Sequence, residues 1–417
     1  LSRRKFRKNK SLMVGAMKRV ILLTSLLILG LCASQVLPLL VGELPSWYSV
    51  PRQFLTMTLL AFIMIEVGRE FDVDLKNKKQ YAVDYGVAAT AAAFPWLFCT
   101  FYFLAFLMPS ENENGGAGWV EALLAARFAA PTSAGVLFSM LAAAGLAGTW
   151  AFKKTRILAI FDDLDTVLFM IPLKVLMVGF VWQLGVDLVI VAMLLFLGVK
   201  FYRNIDVPTS WKWVLFYSTL ITGLSELIYF YTKDPSTLIG AHIEVLLPAF
   251  ILGCSLKTHK NEAIAVPGQD LPGDGAEERA SLLISCAFML LVGLSMPSAF
   301  GPGSVIKTGM SWPEVGLHVL LVTALSNIGK MFASFCYRKE ASLKERIAVS
   351  VSMFPRGEVG AGILAISLSY GITGPFVAIG FLSLALNLIL TGFFILVVQR
   401  LLEPPKAASL YMEGPGS

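Results

Sequence analysis

Apolar residues along this chain arrive in blocks of about 20, the length at which an α-helix crosses the hydrocarbon of a bilayer. A helix keeps its own backbone hydrogen bonds satisfied, which lipid demands of any segment that spans it. Twelve such blocks can be marked: Val20–Val41, Gln53–Val67, Val83–Met108, Val120–Leu146, Ile157–Phe180, Val186–Tyr202, Trp213–Tyr229, Leu238–Leu256, Ser281–Met296, Val315–Tyr337, Ile347–Leu368 and Pro375–Val398. Charged residues make up only 15% of the chain and the mean hydropathy is +0.71. Soluble domains carry about 25% charged residues. The pattern predicts an all-α polytopic membrane protein of about twelve transmembrane helices.

The loops between blocks fix the expected orientation. Of 34 Lys and Arg residues, 26 fall in the N-terminal segment, in alternate connections and in the C-terminal tail, against three (Arg52, Lys233 and Lys307) on the opposite side. Cytoplasmic loops carry the excess of Lys and Arg, so both termini are expected in the cytoplasm. The net charge of +6 is then an orientation signal and not a nucleic-acid footprint. The first block is too long for a signal peptide and has no small-residue cleavage site, so it reads as a retained helix. A connection rich in Pro, Gly and acidic residues, 257–280, divides residues 1–256, with spans one to eight, from 281–403, with spans nine to twelve. Residues 404–417 form a tail whose closing Gly414-Pro415-Gly416-Ser417 reads as cloning-derived.

Other chemistries find little support. The five cysteines have no CxxC spacing, the three histidines have no HExxH spacing, and there is no P-loop. No Ser-His pair stands out, so an enzyme is not expected and no cofactor is implied.

What remains are charges inside the apolar blocks, each costing at least ~2.5–3.5 kcal/mol at mid-bilayer and therefore needing a partner or a role. Asp162, Asp163 and Asp165 crowd one turn near the middle of the fifth span. Successive helical residues lie about 100° apart, so Asp162 and Asp163 point to neighbouring faces while Asp165 shares the face of Asp162. Burial and like-charge repulsion both raise carboxyl pKa values. Such a cluster must hold a cation, hold protons, or pair with Lys or Arg. Lys330, deep in the tenth span, is expected to pair with one of these aspartates. Glu66, Arg69, Asp84 and Glu121 lie near block ends and are expected to be solvated at the interface. Arg127 and Lys174 are left without an assigned partner.

Two spans also carry helix breakers at mid-depth: Ala130-Pro131-Thr132-Ser133-Ala134-Gly135 in the fourth and Pro355-Arg356-Gly357-Glu358-Val359-Gly360 in the eleventh. Proline removes a backbone donor and clashes with the preceding turn. Lipid tolerates such breaks only where they line a cavity or pack in protein, and paired breaks in two halves point to a transporter's binding site.

On Asp162-Asp163, Lys330 and Pro355-Arg356-Gly357-Glu358-Val359-Gly360, in that order, the chain resembles the monovalent cation:proton antiporters of the NhaA fold. The Arg-Gly-Glu stretch, and Gly240-Ala241 with Pro248-Ala249-Phe250 and Gly253, are closest to the Kef-like and NapA-like branch. The resemblance implies inverted repeats with two interrupted helices, at Pro131 and at Pro355 and Gly357, crossing at the ion site. It implies electrogenic Na⁺/H⁺ exchange, with Li⁺ or K⁺ as alternative cations, by a homodimer in the plasma (bacterial inner) membrane. Asp163 would bind Na⁺ or protons. Asp162 would share in that site and be salt-bridged to Lys330 in one state. Thr132 and Ser133 would offer oxygen, and Arg356 and Glu358 would anchor span eleven by ion pairs. Asp165 is a carboxylate that the motif does not map. A cation channel, a sodium-coupled solute symporter and a membrane sensor are the rival readings.

Overall fold

A computed structural model describes residues 2–41, 46–70, 78–108, 117–179, 182–233, 245–257, 275–296, 310–369, 372 and 375–402. The described chain is helical, with one isolated parallel bridge, Ile205 to Leu256. In order come α1 (Ser2–Val41), α2 (Ser46–Glu70), α3 (Lys78–Phe106), α4 (Ala117–Ala126), α5 (Ala134–Ala143), α6 (Trp150–Val178) and α7 (Trp182–Lys200). They are followed by α8 (Trp211–Thr232), α9 (Leu246–Ser255), α10 (Gly275–Leu294), α11 (Trp312–Lys330), α12 (Leu343–Ser352), α13 (Glu358–Ser369) and α14 (Pro375–Leu402). Short 3₁₀ turns continue α4 over Arg127–Ala129 and α11 over Met331–Phe335.

Eight described helical stretches are long and apolar enough to cross a membrane: Lys18–Leu40, Val50–Arg69, Lys79–Phe106, Gly118–Ala143, Trp182–Lys200, Trp211–Thr232, Trp312–Phe335 and Pro375–Leu402. The protein is therefore built as a polytopic membrane protein. α6 has the length but carries Asp162, Asp163, Asp165 and Lys174, so its composition alone does not qualify it. α9 and α10 are short in their apolar parts, and α12 and α13 are the two sides of a break. Outward apolar side chains on α7 and α8, such as Phe196, Val199, Phe216 and Phe230, form the kind of surface that lipid covers.

Local signals account for the helix starts. Thr149 accepts from the Phe152 N–H and opens α6. Ser342 and Glu345 form a capping box at α12. Ser311, Pro313 and Glu314 begin α11 in the same way.

The helices sort into two groups by their packing. In one, α1 lies along α10 and α2 along α9, with α8 against α2. Each of the first two crossings is made by a glycine pair. A Cβ on Gly30 would strike the Leu290 carbonyl, and one on Gly293 the Leu27 carbonyl. Gly68 meets the Phe250 carbonyl, and Gly253 the Ile65 carbonyl. In every case the blocking carbonyl sits three residues before the partner glycine. Small residues let helix backbones approach where lipid offers no hydrophobic drive for packing. The other group contains α3, α6, α11, α12 and α14, with α3 set tightly on α11 where Gly329 meets Pro95. This second group surrounds both helix breaks.

Candidate ion site at two crossed helix breaks

Both sequence-predicted breaks are present. One break separates the 3₁₀ turn ending at Ala129 from α5 at Ala134, and the other separates α12, ending at Ser352, from α13 at Glu358. The two gaps touch directly. The Ser133 N–H donates to the Pro355 carbonyl at 2.9 Å, and the Thr132 hydroxyl donates to the Met353 carbonyl at 3.1 Å. Gly357 leaves room for this crossing, since a Cβ there would press on Ser133 and Val292.

A helix break exposes carbonyls at one end and N–H groups at the other, so the first end attracts cations and the second anions. The side chains follow that rule. The Lys330 ammonium donates to the Ala130 carbonyl at 2.6 Å. Arg356 donates through Nε to the Ala129 carbonyl at 2.9 Å. At the positive end, the Thr132 N–H donates to Asp162 Oδ2 at 2.8 Å. Lys330 bonds that same oxygen at 2.8 Å, and both side chains are 0% exposed. The expected pairing of Lys330 with an aspartate of the fifth span is therefore found, with Asp162 as its partner.

Asp163, one residue on, turns away from this pair. It lines a pocket with Met64 of α2, Ile160 and Leu164 of α6, and Leu246, Leu247 and Phe250 of α9. The pocket lies where α6 of the second helix group faces α2 and α9 of the first. Asp165 is buried on a third side, where its backbone carbonyl accepts from Arg127 Nη2 at 3.0 Å. Among the described residues no three acidic, His or Cys side chains converge as they would around a tightly held metal ion. Asp162 is engaged by Lys330 and Thr132, while Asp163 faces the pocket.

Arg356 reaches four described acceptors across the two breaks and α11. Among the described residues it donates to acceptors that carry no charge: the carbonyls of Ala129, Ser326 at 2.8 Å and Phe354 at 3.0 Å, and Asn327 Oδ1 at 2.7 Å. Arg356 thus ties α11 to both breaks through the carbonyls that the breaks expose. The side chain of Glu358 lies outside the described residues; its backbone begins α13.

Three charges near block ends are buried and paired, not solvated. Asp84 takes Lys154 at 3.0 Å and the Tyr337 hydroxyl at 2.8 Å, and Lys154 also reaches Glu340 at 3.2 Å. Burial, and then the Asp84 charge, pushes the Tyr337 phenol pKa up. This cluster binds the first turns of α3 and α6 to the connection between α11 and α12. Glu66 and Arg69 pair at 2.9 Å under the Thr209 carbonyl. Sequence reasoning missed the Asp84 cluster because its partners come from segments far apart in the chain, whereas the i,i+3 spacing of Glu66 and Arg69 was a usable signal for their pairing. It also gave no role to Asn327, although a polar residue one turn before Lys330 was a usable signal.

No known family's sequence pattern matches the chain, and no curated protein matches it.

Proposed function

We propose that the protein is a secondary active antiporter that exchanges a monovalent cation, Na⁺ foremost, for protons by alternating access. The observation that carries this reading is the division of labour between adjacent aspartates. Asp162 is held at the crossed breaks by Lys330 and the Thr132 N–H, while Asp163 opens toward the boundary between the two helix groups. A hard cation seeks oxygen ligands, and carboxylates beside unwound backbone supply them. Protons and Na⁺ then compete for Asp163, so one excludes the other. Occupancy lowers the cost of moving a buried charge, and the loaded site crosses more readily than the bare one. Thr132 and Ser133 contribute oxygen from the fourth-span break. Lys330 and Arg356 hold the exposed carbonyls and keep the crossing in register.

An NhaA-like inverted repeat of twelve spans is part of the proposal, and the helix packing supports it. Taken in order, α1, α2, α3, α4–α5 and α6 correspond to spans one to five, and α9, α10, α11, α12–α13 and α14 to spans eight to twelve. A shift of seven spans, odd and therefore inverting, carries the α1–α10 contact onto α9–α2 and the α3–α6 contact onto α11–α14. The paired glycines at the first two crossings obey the same three-residue offset. The same shift carries the Pro131 break onto the Pro355 break. The proposal includes a homodimer in the plasma (bacterial inner) membrane with both termini cytoplasmic, and electrogenic exchange.

In proteoliposomes holding an imposed pH gradient, added Na⁺ or Li⁺ is expected to collapse the gradient at a saturable rate, with K⁺ as the selectivity comparison. Cation flux with no proton movement would point to a channel. Sodium uptake that requires an organic solute would point to symport. Either result would overturn the exchange reading.

A further inference from the structure

Asn387 is a fully buried amide near the middle of α14 that the exchange reading does not use. Its Nδ2 donates to the Ser383 carbonyl of the preceding turn at 3.2 Å, and its Oδ1 has no donor among the described residues. Buried polar atoms are nearly always hydrogen-bonded, to protein or to water. The helix is polar along this face. Ser383, Asn387 and Thr391 recur every fourth residue, all buried, and the Ser383 hydroxyl bonds that of Thr323 of α11 at 2.8 Å.

α14 runs alongside the second break. A Cβ on Gly360, just past the break, would press on Leu384, and the Phe394 ring meets Phe354, inside the break, edge-on at 5.2 Å. Asn387 and Thr391 lie between these two contacts, at the depth of the unwound segment.

The two halves give that placement a meaning. Pro131 and Pro355 are 224 residues apart (355 less 131). The same step carries the end of α3 at Phe106 onto the end of α11 at Lys330, and the start of α5 at Ala134 onto the start of α13 at Glu358. It also carries the end of α6 at Val178 onto the end of α14 at Leu402. By this step Asp163 falls on Asn387, while Asp162 and Asp165 fall on Leu386 and Ile389. Three apolar walls of the Asp163 pocket, Met64, Ile160 and Leu164, fall on Phe288, Leu384 and Leu388, which are apolar and buried. Where the first half has three acids, the second keeps one polar side chain, uncharged, at the position of the acid that faces the pocket.

We propose that Asn387 is a second, neutral hydration site: water bonds its amide oxygen beside the eleventh-span break, at the mirror of the Asp163 position, and exchange needs this solvated point. The proposal rests on the exchange reading and its repeat, and it makes Asn387 a positioning residue. Unwound backbone at membrane depth is tolerated where protein or water satisfies it. Lys330 and Asp162 serve the first break, and water at Asn387 serves the second as the backbone rearranges. An amide suits the task, because Nδ2 is anchored to its own helix while Oδ1 is left to accept. It also carries no charge that would draw the cation away from Asp163.

The test uses three variants of the full-length protein. Asn387→Leu keeps the approximate size and removes both polar atoms. It is expected to lower the maximal exchange rate in proteoliposomes about tenfold while half-saturating Na⁺ stays within about threefold of the parent. Its unfolding temperature in detergent is expected to be no lower than the parent's, which a residue held only for structure would not combine with slow exchange. Asn387→Ser keeps a hydroxyl for water and is expected to retain at least about half of the parental rate. Asn387→Cys is treated in membranes with 2-aminoethyl methanethiosulfonate, a small water-soluble thiol reagent, and modification is located by peptide mass spectrometry. The introduced cysteine is expected to react faster than Cys99, which is equally buried. Parental exchange by Asn387→Leu overturns the proposal, and so does an introduced cysteine that reacts no faster than Cys99. Should the leucine variant fail to fold, the serine variant and the labelling decide. Should the parent protein exchange no cation for protons, the function reading fails, and the labelling still decides whether water reaches this position.

Discussion

Asp163→Asn is expected to cut Na⁺-driven proton movement by about 100-fold or more while the protein remains folded. The substitution conserves shape and removes only the ability to ionise. Asp163 lines a pocket whose other named walls are Met64, Ile160, Leu164, Leu246, Leu247 and Phe250, none of which offers a charged side chain. A cation entering there loses water and must recover oxygen ligands and negative charge from the protein; losing even one well-placed charged ligand costs ~3 kcal/mol, which is the 100-fold scale. Asparagine still supplies a carbonyl oxygen, so weak residual binding is compatible with the account, but it cannot exchange a proton. Transport assays on reconstituted variant and parent give the comparison. Exchange at the parental rate in Asp163→Asn would remove this residue from the mechanism.

The second large effect is on stability. Lys330→Met is expected to destabilise the fold by about 3–5 kcal/mol, the usual cost of removing one partner from a buried ion pair. Methionine fills the space but leaves Asp162 fully buried with only the Thr132 N–H on its bonded oxygen. It also strips the Ala130 carbonyl of its cation, at the helix end where the fourth span stops. Combining Lys330→Met with Asp162→Asn removes the orphaned charge and is expected to regain much of the lost stability, because a buried pair is worth little relative to neutral replacements. Unfolding of the purified variants in detergent measures both effects. A double variant less stable than either single would mean that the pair is held for reasons other than mutual neutralisation.

Much of this architecture could be read from the residues because membrane burial writes itself into composition. Within the described residues the apolar blocks fall on helices, and even α6, whose three aspartates spoil its hydropathy, was recognisable from the continuity of its flanks. The breaks at Pro131 and Pro355 were legible because proline and glycine act locally. Lys330 announced a carboxylate partner by its depth alone. What escaped depended on partners brought together only by folding. Asp84 looked like a residue at the water boundary, yet Lys154 and Tyr337, from other elements, close over it. The neutral acceptors of Arg356 were not legible either. The carbonyls that it binds become available only when two helices unwind beside each other. The glycine pairs between α1 and α10 and between α2 and α9 were equally hidden, since a glycine in an apolar block does not say what lies against it.

Binding of Na⁺ to the purified protein, titrated across a range of pH, bears most directly on whether metal and hydrogen ions contend for the same acids. With one contending proton, the apparent dissociation constant should climb about tenfold for each unit of acidification below the carboxyl pKa and level off above it. Asp163→Asn should abolish that dependence. A parent protein that holds Na⁺ equally well at every pH would contradict the account.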